Sequence, residues 1–134
     1  IDRADRSRDD TEIMLAMAHA SFLHWQNRPD CKPENLSIAY WLLARVHALA
    51  GHFEAARWYA SKCLSYSSDK ALAPFYIGYA HEAMCRAEKG LKETEAALGD
   101  LKLAEGQLEK VTDPEEKKLL ADDLRSLREA LATP

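Results

Sequence analysis

Apolar residues recur every three or four positions along almost the whole chain, and no stretch of strand length alternates apolar with polar residues between turn signals. That spacing places apolar side chains on one face of a helix and would scatter them over both faces of a strand. Five glycines and five prolines in 134 residues leave few breaks, so the chain is expected to be all-α. Its length suits one domain with a core of its own. Residues 1–9 carry charges of both signs and are expected to form a flexible N-terminus, with a single helical-repeat domain over 10–132.

The breaks divide the chain into about six helices. The first is expected from Asp10 or Thr11, either of which can cap it, to Gln26. It is apolar on nearly all sides and is therefore expected to be largely buried. The second runs from Glu34 to Ala50, ended by Gly51 in the left-handed conformation. The third runs from His52 to Tyr66 with the stripe Phe53, Ala56, Ala60, Cys63 and Leu64, and Ser65, Ser67 and Ser68 read as turn and cap residues. The fourth begins between Ala71 and Pro74 and extends to Glu88. Gly90 and Gly99 are both candidate stops. The stripe Leu91, Leu98, Leu101, Leu108, Val111 passes through Gly99 with helical period, which places the turn at Lys89–Gly90 and the fifth helix over 91–111. In the last helix Asp113 is the cap, Pro114 the first residue and Glu116 completes a capping box. Its seam, Leu120, Leu124, Leu127 and Leu131, either closes the core or pairs two copies.

Shifting the chain by 34 residues superposes Leu43, Ala44 and His47 on Ile77, Gly78 and His81. The segment Tyr40, Leu43-Ala44, then Gly51-His52-Phe53 and Ala56, resembles the tetratricopeptide repeat, with His47 where that family has an aromatic. The second unit departs from the pattern: Pro74 replaces the aromatic, Gly90 falls five residues late and Glu95 stands at a small-residue position. Residues 20 to 90 also resemble a set of bacterial tetratricopeptide-like proteins through His24-Trp25, Tyr40-Trp41-Leu42, Arg45-Val46 and Phe75 to Ala87. The resemblance implies stacked antiparallel helix hairpins and a cytoplasmic location. It carries no activity.

All eleven aromatics lie between Phe22 and Tyr79, and all five histidines between His19 and His81. A recognition surface is therefore expected in residues 19–86. In tetratricopeptide-type stacks the first helix of each hairpin lines a concave face. That face would carry Trp41 and Arg45 on the second helix and Phe75, Tyr79, Glu82 and Arg86, spaced 4, 3 and 4, on the fourth. With Trp25 these are the candidate binding residues. Aromatic planes and guanidiniums suit a protein or peptide segment, or an acidic metabolite in a pocket between helices 1, 2 and 4 around Trp25, Trp41 and Tyr79. The competing reading is that Arg45 or Arg86 pairs with Glu82 and the aromatics are core.

His19 and His24 lie about 140° apart around a helix, a poor pair for one metal, and His47 and His81 read as core residues. Cys31, Cys63 and Cys85 show no CxxC spacing and read as reduced thiols. No metal, cofactor or catalytic residue is expected, and the chain is not expected to be an enzyme. A net charge of −4 argues against nucleic acid, and no apolar run approaches the ~20 residues of a membrane span. The apolar first helix is expected to support a weak homodimer.

Overall fold

A computed structural model describes residues 7–132. They form six α-helices: α1 (Arg8–Asn27), α2 (Pro33–Leu49), α3 (Phe53–Asp69), α4 (Pro74–Gly90), α5 (Thr94–Leu108) and α6 (Pro114–Ala132). None is long and apolar enough to cross a membrane. The chain folds as successive helix hairpins in two rows. Helices α2, α4 and α6 touch in order along one row, α3 lies against α2 and α4, and α5 lies against α4 and α6. Helix α1 packs mainly against α2, and its His19 also meets Tyr59 of α3 edge-on at 5.6 Å.

The first helix starts earlier than expected. Ser7 is its cap: the Ser7 hydroxyl accepts from the Asp10 amide at 3.1 Å, and the Asp10 carboxylate accepts from the Ser7 amide at 3.2 Å. Asp10 thus completes a reciprocal box from inside the helix. Residues 7–9 belong to this helix start, and the rest of the expected flexible segment lies outside the described residues. The expectation of deep burial for α1 fails. Only Ala18 is buried, with Met14, Leu15 and Phe22 packed around the α2 residues Leu43 and Val46, while Ile13, Met17 and Leu23 stand exposed. One neighbouring helix covers only one side of it.

Three helices end in the same way. Residues Gly51, Ala71 and Lys92 have φ of 80°, 51° and 63°. Each donates its amide three residues back, to Ala48, Ser68 and Lys89, and the next residue in each case donates five back, to His47, Ser67 and Glu88. This is the double bond pattern that satisfies the last carbonyls of a helix. Only the first of the three carries the glycine that sequence can show. The third helix therefore runs past Tyr66 to Asp69, and Ser65, Ser67 and Ser68 are helical rather than turn residues. The α4–α5 turn centres on Lys92, and the fifth helix is shorter than 91–111 at both ends.

Gly90 is helical and serves a different purpose. A Cβ there would lie 2.1 Å from Cδ1 of Phe53, so its bare α-carbon lets α4 approach the start of α3. Gly99 lies within α5 facing open space, as the Leu stripe required. At α6, Asp113 accepts from the Glu116 amide at 2.9 Å. Leu120, Leu124 and Leu127 are buried with Leu101, Ala104 and Val111, and Leu131 packs at the edge, so the seam closes the core.

Lys92→Gly is expected to stabilise the protein by about 1 kcal/mol by relieving a left-handed residue that bears a Cβ, and Gly90→Ala to destabilise it by about 1–3 kcal/mol through overpacking against Phe53. Urea denaturation of the two variants reads both, and equal midpoints would contradict the assigned roles.

Candidate functional site

Glu82 is the centre of the α2–α4 interface. It has 0% of its surface exposed, although it is charged. Three donors converge on it. The Trp41 indole N–H donates to Oε1 at 2.8 Å, Arg45 donates to Oε2 at 3.4 Å, and Arg86, one turn along α4, donates to Oε2 through Nε. The second guanidinium nitrogen of Arg86 lies 3.9 Å from Asp123 on α6. Asp123 also accepts from the Tyr79 hydroxyl at 2.6 Å. Burial, and then that bond to Asp123, raise the Tyr79 phenol above its ordinary value, so it stays a neutral donor. One connected polar chain thus ties α2, α4 and α6.

The aromatic rings sit beside this chain. Trp41 meets Tyr79 edge-on at 5.5 Å, and Tyr79 meets Phe75 edge-on at 5.1 Å. The Arg45 guanidinium lies 5.8 Å from the Trp41 ring centre. Between α2 and α4 these rings border a groove of about 230 Å³ lined by Ser37, Ile38, Trp41, Phe75, Tyr76 and Tyr79. The Ser37 hydroxyl pairs with the buried Ser67 hydroxyl at 2.8 Å. What faces the groove is therefore aromatic and aliphatic.

Six of the seven candidate residues, Trp41, Arg45, Phe75, Tyr79, Glu82 and Arg86, are brought together. Trp25 is not. It lies on α1, against His24 and 5.1 Å from the Arg28 guanidinium. Among the described residues α1 makes no contact with α4, so Trp25 does not join Trp41 and Tyr79. The groove belongs to α2 and α4, and Glu82, Arg45 and Arg86 sit behind it engaged with one another.

Two polar clusters were not anticipated. On the α5 side of α4, His81 Nδ1 lies 2.8 Å from Asp100, and Glu88 is almost wholly buried with Oε1 lacking a partner. Burial, and then its contact with Asp100, raise the Glu88 carboxyl from its ordinary 4.5 to about 8. Burial pushes Asp100 the other way from what is found: hydrogen bonds from His81 and Glu88 outweigh it and hold Asp100 below its ordinary value. The sequence signal was the 4, 3 spacing of His81, Cys85 and Glu88, which sets a carboxylate on an apolar stripe. Near α1, His19 Nε2 lies 3.1 Å from His47 Nε2, and His47 stacks on Tyr59 at 5.3 Å with His52 close by. Burial, then His19 and His52, lower the His47 pKa.

Among the described residues no three His, Cys, Asp or Glu side chains are gathered as a metal-binding group. Cys63 and Cys85 are buried, and burial raises their thiols to about 11 and about 12, which leaves little thiolate at neutral pH. No protein family, curated protein or solved structure matches the chain.

Glu82→Gln is expected to cost about 3 kcal/mol or more in urea denaturation, because it leaves two guanidiniums against a neutral amide. Arg125→Gln, which breaks the exposed contact with Asp122, should cost less than about 1 kcal/mol. Glu88 sets a pH dependence. Its folded value lies above its unfolded one, so the folded chain keeps a proton that the unfolded chain loses. Its contribution is whole below about 4.5 and is lost as pH rises through about 8. Melting temperatures of the parent should fall over that window more steeply than those of Glu88→Gln, and parallel curves would contradict the assignment.

Proposed function

We propose that the protein is a tetratricopeptide-like interaction module, not an enzyme, that binds a protein segment by taking one of its apolar side chains into the α2–α4 groove. The observation that carries this reading is the chemistry of the groove. Its lining is apolar and aromatic, while the two nearby guanidiniums are engaged by Glu82, with Asp123 beside Arg86. A site for an acidic metabolite needs cationic groups directed at the ligand. A site for Leu, Met or Phe of a partner needs contact area and a dry wall. The repeat register of Leu43-Ala44 and Ile77-Gly78 and the turn at Gly51 support the family reading. The three cysteines are free, which fits the reducing cytoplasm that the resemblance to bacterial tetratricopeptide-like proteins implies.

The chain has three tryptophans, and Trp58 is exposed while Trp25 lies away from the groove. Trp25→Phe with Trp58→Phe therefore leaves Trp41 as the sole indole reporter. Peptides selected from a displayed random library and a panel of acidic metabolites are each titrated against it. The expected result is a blue shift of Trp41 emission with peptides sharing a Leu, Met or Phe anchor, abolished by Ile38→Asp without loss of melting temperature. Binding of a carboxylate metabolite that depends on Arg45 would overturn the proposal.

A further inference from the structure

The exposed face of α1 has an order that its composition alone does not convey. Asp10, Ile13, Met17, Ala20 and His24 follow one another at steps of 3, 4, 3 and 4, the spacing of a seam that pairs two helices. Ile13 and Met17 are 57% and 66% exposed. The seam residues Ile13 and Met17 border, with Met14, Ala18, Leu42 and Val46, a cleft of about 500 Å³ between α1 and α2. In the row α4 lies between α2 and α6, whereas the outer side of α2 meets only α1.

The charges on α1 are polarised along its length. Asp9, Asp10 and Glu12 lie in its first turns beside a single cation, Arg8, and His19 and His24 lie in its second half. Asp10 and His24 each stand seven residues from Met17, on the same seam and in opposite directions. A two-fold axis at Met17 therefore brings the acidic start of one α1 to the histidine end of the other. Asp10 accepts and the His24 imidazole donates, and the opposed helix dipoles favour the same antiparallel sense. A parallel pairing would set Asp10 against Asp10 and His24 against His24.

From this self-complementarity we infer that the α1 seam is an interface with a second copy of the chain, an antiparallel two-fold pairing centred on Met17. Each copy places Ile13 and Met17 over the partner's cleft between α1 and α2. One helix face is a small interface, so the dimer forms and dissociates with concentration. It lies on α1 and the neighbouring side of α2, apart from the α2–α4 groove, and stands independently of the function proposed for that groove.

Sedimentation velocity of the full chain over a hundredfold concentration range should show a monomer passing to a dimer. Met17→Glu, a change at a side chain exposed in the single chain, should leave the melting curve of dilute protein unchanged and abolish the dimer. His24→Glu should weaken association and His24→Lys should strengthen it. In a Cys31→Ser background, Met17→Cys should give a disulfide-linked dimer under mild oxidation, and Ala16→Cys, on another face of the helix, should not. A monomer at every concentration, a dimer that survives Met17→Glu, or equal cross-linking at 16 and 17 would overturn the inference.

Discussion

The carboxylate of Glu82 is the constraint on which the rest of the arrangement depends. A charge removed from water must be met by donors of good geometry, or it destabilises the fold by several kcal/mol. Here the donors come from two helices: Trp41 and Arg45 from α2, Arg86 from α4 itself. Satisfying Glu82 therefore fixes the rotation of α2 about its axis relative to α4. That rotation in turn decides which residues border the groove. Arg86 and Tyr79 extend the same requirement to Asp123, so the placement of α6 follows from it. An apolar interface tolerates sliding and turning, and a three-donor carboxylate does not.

Small side chains let this polar chain coexist with close helices. Ala44, Ala60 and Ala83 are buried together between α2, α3 and α4, and Ala97 and Ala104 bring α5 onto Cys85 and the leucines of α6. Gly78 continues the pattern, since a Cβ there would lie 2.7 Å from Leu120. Trp41, Phe75 and Tyr79 sit at the α2–α4 edge, packed on the core on one side and bordering the groove on the other.

The six helices were legible because their signals are local: apolar periodicity, proline at Pro74 and Pro114, glycine at Gly51. Where the structure departs from expectation, tertiary context or a silent local choice decided. Ala71 and Lys92 take left-handed conformations without any residue type that announces them, so the ends of α3 and α4 were placed early. Gly90 announces a turn and instead admits Phe53. The members of the α2–α4 cluster were legible from their 4, 3, 4 spacing, but their exposure was not. Periodicity gives the face a residue occupies, and the neighbour that covers the face comes from the stack. Trp25 was misplaced for the same reason, since nothing local shows that α1 stops short of α4. Glu88 and Asp100 lie on different helices, and their proximity had no local signal at all.

The two ends of the stack are unlike. Helix α6 turns its leucines inward and presents Lys117, Lys118, Arg125 and Arg128 outward, with Leu119 the apolar exception, whereas α1 presents Ile13 and Met17. Open-ended growth of a repeat array requires each unit to offer a surface at one end that fits a different surface at the other. The charged outer face of α6 and the apolar face of α1 do not offer each other that head-to-tail match. The pairing inferred for α1 therefore closes on two copies and does not extend through α6, whose leucines are already used as a lid on the core.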